Sequence, residues 1–195
     1  MTDLKRPYRM KRRAELVADT RMRITKSAME LHGTLGPSRT SMSAVAEHAG
    51  VRRSTLYRHF PDEQALFNAC SSHWRTLNPL PDLEAWAPIK HPDERLRTAL
   101  EDLYGFYRRT SEMLDNLFRD EATVPAVKNT FSGFRAYMAA AQSTLLAGRG
   151  RTPRRVQAAI GHALSFPTWR SLAIEQGLDD ANAADLMCRL VFSAR

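Results

Sequence analysis

A chain of 195 residues with 43% hydrophobic and 26% charged side chains has globular composition, enough for one core or for a small domain joined to a larger one. No apolar run approaches the ~20 residues that span a bilayer, and no apolar stretch follows the basic N-terminus, so neither a membrane span nor a secretory signal is expected. The net charge of +8 lies in one place: residues 1–60 carry 13 Lys and Arg against 5 Asp and Glu, whereas residues 61–195 carry 16 of each, a footprint for a polyanion such as nucleic acid.

In chain order, residues 1–13 hold Lys5, Arg6, Arg9, Lys11, Arg12 and Arg13 with little apolar content, and read as a flexible basic arm or a solvated tail. From Ala14 to Leu35 the spacing of Val17, Ile24, Ala28, Leu31 and Leu35 predicts a helix, ended by Gly36-Pro37. A short helix over Met42–His48, a turn at Ala49-Gly50-Val51 and a second short helix over Arg53–Phe60 follow. Pro61-Asp62-Glu63 opens a longer helix carrying Ala65, Leu66, Ala69 and Trp74, with its acids at the positive end of the helix dipole. Pro79, Pro81, Pro88 and Pro92 mark a connector. Beyond it, Leu96, Leu100, Leu103 and Tyr107 share one helical face, and Val127, Phe131, Phe134, Met138, Ala141 and Leu145 share another. Gly148–Arg155 is a glycine- and arginine-rich turn. Val156, Ile160, Ala163 and Leu164 mark a helix that Pro167 should kink and Gly177 should close. Asp179-Asp180 starts a last helix with Met187, Leu190 and Val191 on one side. Without sustained period-two alternation, the expected fold class is all-α. The expected domains are the arm 1–13, a helix-turn-helix domain 14–60, a connecting helix 61–78 and a helical domain 79–195.

The sharpest signal is the pair of short helices about Gly50. A helix-turn-helix needs small residues where its helices cross, supplied by Ala46 and Ala49, and a turn that glycine tolerates. Val45, Val51, Leu56 and Phe60 can pin the second helix. At about 100° per residue, Leu56 and Phe60 share a face while Ser54, Thr55, Tyr57 and Arg58 point elsewhere, a face fit for base edges and phosphates in a major groove. The stretch TSMSAVAEHAGVRRSTLYRHFPDEQALF (Thr40 to Phe67) resembles the DNA-binding signature of the tetracycline-repressor (TetR) family, most strongly in AEHAGV and TLYRHFPDEQAL. The later chain resembles the family in layout, a helical domain for ligand and dimerisation. WRSLAIEQGLDDANAADLM (Trp169 to Met187) is similar in character to the family's dimerising end.

The resemblance implies that Arg53, Thr55, Tyr57, Arg58 and His59 face DNA, with Thr40, Ser41 and Ser43 meeting phosphate or base edges; Arg52 and Ser54 complete the candidate DNA-binding set. Arg52 and Arg53 sit at a helix start, where the dipole disfavours cations by up to about 1 kcal/mol. A bound phosphate or guanine edge would remove that conflict. His59 turns back toward the Leu56 side. Two positions depart from the family pattern. Arg52 stands where a small capping residue is usual, and Glu63 stands where a phosphate-binding Lys is usual, so that the basic arm would have to compensate.

Aromatic and Met residues crowd residues 104–138, as pocket lining for an apolar or aromatic molecule or as plain core. The candidate ligand-binding residues are Tyr104, Tyr107, Phe118, Phe134, Tyr137, Met138, His162 and Trp169. Dimer contacts are expected from Leu164, Leu172, Met187, Leu190 and Val191. The turn GRGRTPRR (Gly148 to Arg155) could meet nucleic acid or be an exposed loop. No catalytic constellation, metal-ligand spacing or phosphate loop is found among the six histidines and two cysteines, so no enzyme activity, cofactor or metal is expected. The resulting expectation is a cytoplasmic homodimeric regulator, a repressor, that binds a pseudo-palindromic operator in double-stranded DNA. It would answer to a small-molecule effector and have no membrane partner. The alternative is a nucleoid-type protein binding DNA without sequence preference and without a ligand.

Overall fold

The computed structural model describes residues 5–194, and every regular element among them is helical, as the periodicity predicts. The first helix, α1 (Lys5–Thr34), begins at Lys5 rather than Ala14. Residues 5–13, read above as part of an arm, therefore continue a helix, while residues 1–4 lie outside the described residues. The reason is propensity. Lys, Arg, Met, Ala, Glu and Leu favour helix without help from packing, and Pro7 falls in the first turn, where its missing N–H is no loss. Leu16 and Val17 are exposed and burial sets in only at Ile24-Thr25, so the first half of α1 is helical without a core to rest on.

Two compact units divide the chain. The first runs to Leu77 and takes back Asp115–Thr130; the second comprises Asn78–Leu114 and Phe131–Arg195. The return of residues 115–130 to the first unit corrects the continuous 79–195 domain expected from sequence. In the first unit, α1 is followed by a 3-10 turn (Pro37–Arg39), α2 (Met42–His48), α3 (Arg53–His59) and α4 (Glu63–Leu77). Gly36 enters the 3-10 turn at φ 95° and Gly50 makes the α2–α3 turn at φ 61°, both in the left-handed region that suits glycine. Ile24 and Ala28 of α1, Met42, Val45 and Ala46 of α2, Leu56 of α3, Phe60, and Leu66 and Cys70 of α4 form one buried cluster, with Val51 packed on its edge. Burying a leucine of this kind stabilises the unit by roughly 1.5–3 kcal/mol.

The second unit is built on the first part of α6 (Pro92–Asp120), the later part of α7 (Pro125–Leu146), α8 (Arg154–Leu164), α9 (Phe166–Arg170) and α10 (Asp180–Ser193), preceded by the short α5 (Leu83–Trp86). That short helix lies in the stretch expected to be a connector; Asp82 caps it, and Trp86 is buried with its indole N–H on Asp102 at 2.8 Å. Ser165 is extended and Pro167 opens α9, so the predicted kink is a clean break, followed by a wide π-type turn over Ser171–Glu175. Asp179 caps α10 through the Asn182 amide at 2.7 Å. Leu164, Met187 and Val191 lie in the core of this unit, which corrects their reading as dimer contacts, since a side chain buried in its own chain has no face left for a partner. Leu190 is exposed and Leu172 half-buried.

Candidate nucleic-acid interface

The exposed face of α3 follows from how the helix is anchored. Leu56 and Phe60 are fully buried, fixing the inward face of a two-turn helix. Arg52, Arg53, Ser54, Tyr57 and Arg58 are then left exposed, with Thr55 and His59 half-buried at the margin. The turn is held by the Val51 amide on the Ala46 carbonyl at 2.9 Å, so α2 and α3 move as one body. Arg52 occupies the cap position of α3 without a side-chain hydrogen bond, and no acidic residue stands in the first turn. Two cations therefore face the positive end of the helix, which raises the local affinity for an anion.

Within this face two of the expected contacts are already paired. Arg53 Nη2 donates to the Tyr57 hydroxyl at 3.3 Å, and its guanidinium lies 5.5 Å from the tyrosine ring centre. The pair presents a guanidinium fork and a phenol hydroxyl side by side, with the tyrosine ring 39% exposed. Partial burial and the neighbouring guanidinium groups of Arg58 and Arg21 lower the His59 pKa below its ordinary value.

On the preceding helix, Ser41 and Ser43 are exposed and Thr40 is half-buried. Two of these hydroxyls have local work: Ser41 Oγ accepts the Ala44 amide at 3.1 Å, capping α2, and Thr40 Oγ1 donates to the Gly36 carbonyl at 2.8 Å. Ser43 alone of the three has its hydroxyl outside such a local bond. Glu63 begins α4 and Asp62 caps it, accepting the Ala65 amide at 2.7 Å, so the two acids serve the helix start. A contributor that sequence reasoning missed is Arg21. From α1 it donates to the His59 carbonyl at 2.5 Å and lies 4.1 Å above the Phe60 ring, closing the C-terminal end of α3. The position of Arg21 one helical turn before Ile24, on the buried side of α1, is the signal that could have found it.

The eight residues expected to meet a ligand fall into different situations. Tyr104, Tyr107 and Trp169 are buried and their polar atoms are engaged within the second unit. The two phenols donate to the Ala163 and Leu164 carbonyls at 2.8 and 2.6 Å, supplying partners where α8 breaks, and the indole N–H reaches Asp180 at 2.9 Å. Burial pushes the Tyr104 hydroxyl well above its ordinary pKa, so it stays protonated and donating. Phe134, Tyr137 and Met138 are half-buried; Tyr137 donates to the Pro81 carbonyl at 2.8 Å, and Phe134 meets Phe131 edge-on. His162 is exposed, with a ring nitrogen 3.2 Å from Thr168 Oγ1. Phe118 belongs to the first unit. In the arginine-rich turn, Arg149 is a strut: it reaches the Leu145 and Pro92 carbonyls at 2.9 and 2.6 Å and Asp93 at 3.0 Å. Among the described residues no three His, Cys, Asp or Glu gather as a metal site, and no helix is long and apolar enough to cross a membrane.

The described residues thus present a basic, hydrogen-bonding helix on a helix-turn-helix and, in addition, a second helical unit. Residues 24–70 match the family described as bacterial regulatory proteins of the tetR family. No curated protein matches the sequence. Among solved structures, the chain is similar to a TetR-like transcriptional regulator from Rhodococcus sp. RHA1 at 22% identity and a TM-score of 0.64, covering 89% of this chain and 93% of that one. NalD, the secondary repressor of the MexAB-OprM multidrug efflux pump in Pseudomonas aeruginosa, is similar at 20% identity, TM-score 0.60 and coverages of 92% and 97%. AibR in complex with isovaleryl coenzyme A and operator DNA is similar at 21% identity, TM-score 0.62 and coverages of 89% and 98%. At these identities the likeness is one of fold, and it extends through both units.

Proposed function

We propose that this regulator is a homodimeric, ligand-responsive repressor that reads a pseudo-palindromic operator through α3. The observation that carries the reading is the division of α3 into a fully buried Leu56 and Phe60 and an exposed Arg52, Arg53, Ser54, Tyr57 and Arg58. Thr55 and His59 at its margin, with Thr40, Ser41 and Ser43 before it, complete the surface. Two such surfaces about 34 Å apart would enter successive major grooves, and an effector that changed their separation would end the match. Support for the rest comes from the neighbours' own descriptions: NalD is a repressor, and AibR is seen with isovaleryl coenzyme A and with operator DNA. For the partner face, Leu186 and Leu190, one turn apart on α10, are 43% and 40% exposed. For an apolar or aromatic effector, the half-buried Phe134, Tyr137 and Met138 and the exposed His162 are the candidates; the buried Tyr104, Tyr107 and Trp169 would serve only by moving.

The test is selection of bound duplexes from a random library, followed by competition against bulk DNA. A regulator prefers its selected site by roughly 10³-fold or more. Arg53→Ala should then weaken site binding by about tenfold or more, and Tyr57→Phe by less, with the dimer intact by sedimentation. Equal affinity for selected and bulk DNA would favour a nucleoid-type protein instead. Wild-type affinity in both variants would remove α3 as the reading surface.

A further inference from the structure

We propose that Asn116, Arg119 and Asp120, at the end of α6, are positioning residues for the DNA-reading face: they hold the end of α1 and the 3-10 turn from which α2 starts. The inference rests on α3 being the groove reader, and it adds residues far outside the 24–70 match. All three lie in Asp115–Thr130, the segment that returns to the first unit.

The last carbonyls of any helix lack intrahelical partners, and a helix that ends against protein must find them elsewhere. At the end of α1, the Leu35 and Gly36 amides both turn back to the Leu31 carbonyl, at 2.8 and 3.2 Å. The carbonyls beyond are met from α6. Asn116 Nδ2 donates to His32 and Gly33 at 3.2 and 2.5 Å, and Arg119 Nη2 donates to Leu35 at 2.9 Å. One residue on, Asp120 accepts the Ser38 amide at 2.9 Å and is gripped by Arg119 through Nε at 2.9 Å and Nη2 at 3.3 Å. Asn116 is 8% exposed and Asp120 2%. A buried carboxylate is retained only where it is well bonded; here the bonds from Arg119 and Ser38 overcome the cost of burial and hold its pKa below the ordinary carboxylate range.

Gly36 gives the same picture from the other side. A Cβ there would overlap Arg119 Nη2 and Asp120 Oδ2, so the clamp occupies the space that a side chain would take. What the clamp fixes matters because of where it acts. Ser38 lies three residues before Ser41, the cap of α2, and α2 is bonded to the start of α3 through Val51 and Ala46. A displaced 3-10 turn therefore carries the α2–α3 body with it. Capping α1 would be a purely structural duty; setting the place of the reader also shows in the choice among DNA sequences.

The experiment uses the full chain, with Asn116→Ala, Asp120→Ala and Asp120→Asn, at a temperature where thermal unfolding shows each variant folded. Binding to a selected duplex is compared with binding to bulk DNA at one salt concentration. The expected result is about a tenfold loss of preference for the selected duplex, with bulk affinity changed by less than about twofold. Asp120→Asn, which keeps an oxygen for the Ser38 amide, should lose less than Asp120→Ala. If Asp120→Ala does not fold, Arg119→Gln, altering the exposed member, takes its place. An unchanged preference in these variants overturns the proposal and leaves the three residues as caps. Should the wild-type chain itself show no preference, the reading of α3 fails separately. Amide exchange at residues 38–45 then decides: lost protection in the variants supports the clamp, and unchanged protection ends it.

Discussion

The two units handle the same kinds of side chain in opposite ways. In the first, Arg53 and Tyr57 form an exposed pair on the outside of α3, while aliphatic residues hold the helix from within. In the second, Tyr104, Tyr107 and Trp169 turn inward and bond to groups of their own unit. A tyrosine at helical spacing is thus a surface group in one unit and part of the frame in the other. The difference lies in the partner its hydroxyl finds. On α3 the partner is another exposed side chain. In the second unit it is a backbone carbonyl left open where Ser165 breaks the chain between α8 and α9.

The largest expected effect tests the inward half of that contrast. Trp169→Ala should destabilise the second unit by about 3–5 kcal/mol in urea unfolding, because it removes a fully buried ring together with the indole bond to Asp180, which keeps only Arg108. A loss below about 1 kcal/mol would mean that the indole is not frame, and would return it to the list of effector contacts.

A second effect, intermediate in size, concerns a buried titratable group of the first unit. Burial lowers the His32 pKa from 6.5 to about 4, against an opposing pull from Asp120. The unfolded chain therefore takes up this proton at higher pH than the folded chain does. Stability should be unaffected by His32 above pH 6.5 and should fall below it, by up to about 1.4 kcal/mol per pH unit until pH 4. Urea unfolding of His32→Asn and of the wild type across this range checks it: the variant should show the shallower slope, and equal slopes would exclude His32 as the source. The smallest effect is the complement of the first. Tyr57→Phe should change stability by less than about 0.5 kcal/mol while weakening operator binding, since its hydroxyl serves an exposed pair and no core group.

The legibility of the sequence follows the range of the contacts. The helix-turn-helix is written in neighbours: Ala46, Ala49, Gly50, Leu56 and Phe60 state their roles within about four turns of helix, and the structure keeps their boundaries. The start of α1 is not legible from apolar content, because Lys and Arg are good helix formers that need no buried face. The return of residues 115–130 and the bonds of Asn116 and Arg119 join positions more than 80 residues apart, and no local pattern records them. In the second unit the stripe Leu96, Leu100, Leu103 and Tyr107 correctly marked a buried face. Periodicity says that a ring faces inward, but it does not say whether the inside is solid or hollow.

One stretch of α1 is held at both ends, by α3 and by α6. Arg21 grips the last carbonyl of α3, and Leu35, just past the helix end, is held by Arg119. Fourteen residues of near-continuous helix separate them, a strut of about 20 Å. Helices of that length bend very little, so the two attachments behave as the fulcrum and the handle of a single lever. A small tilt imposed near Leu35 would be delivered to the end of α3 with almost none of it absorbed on the way.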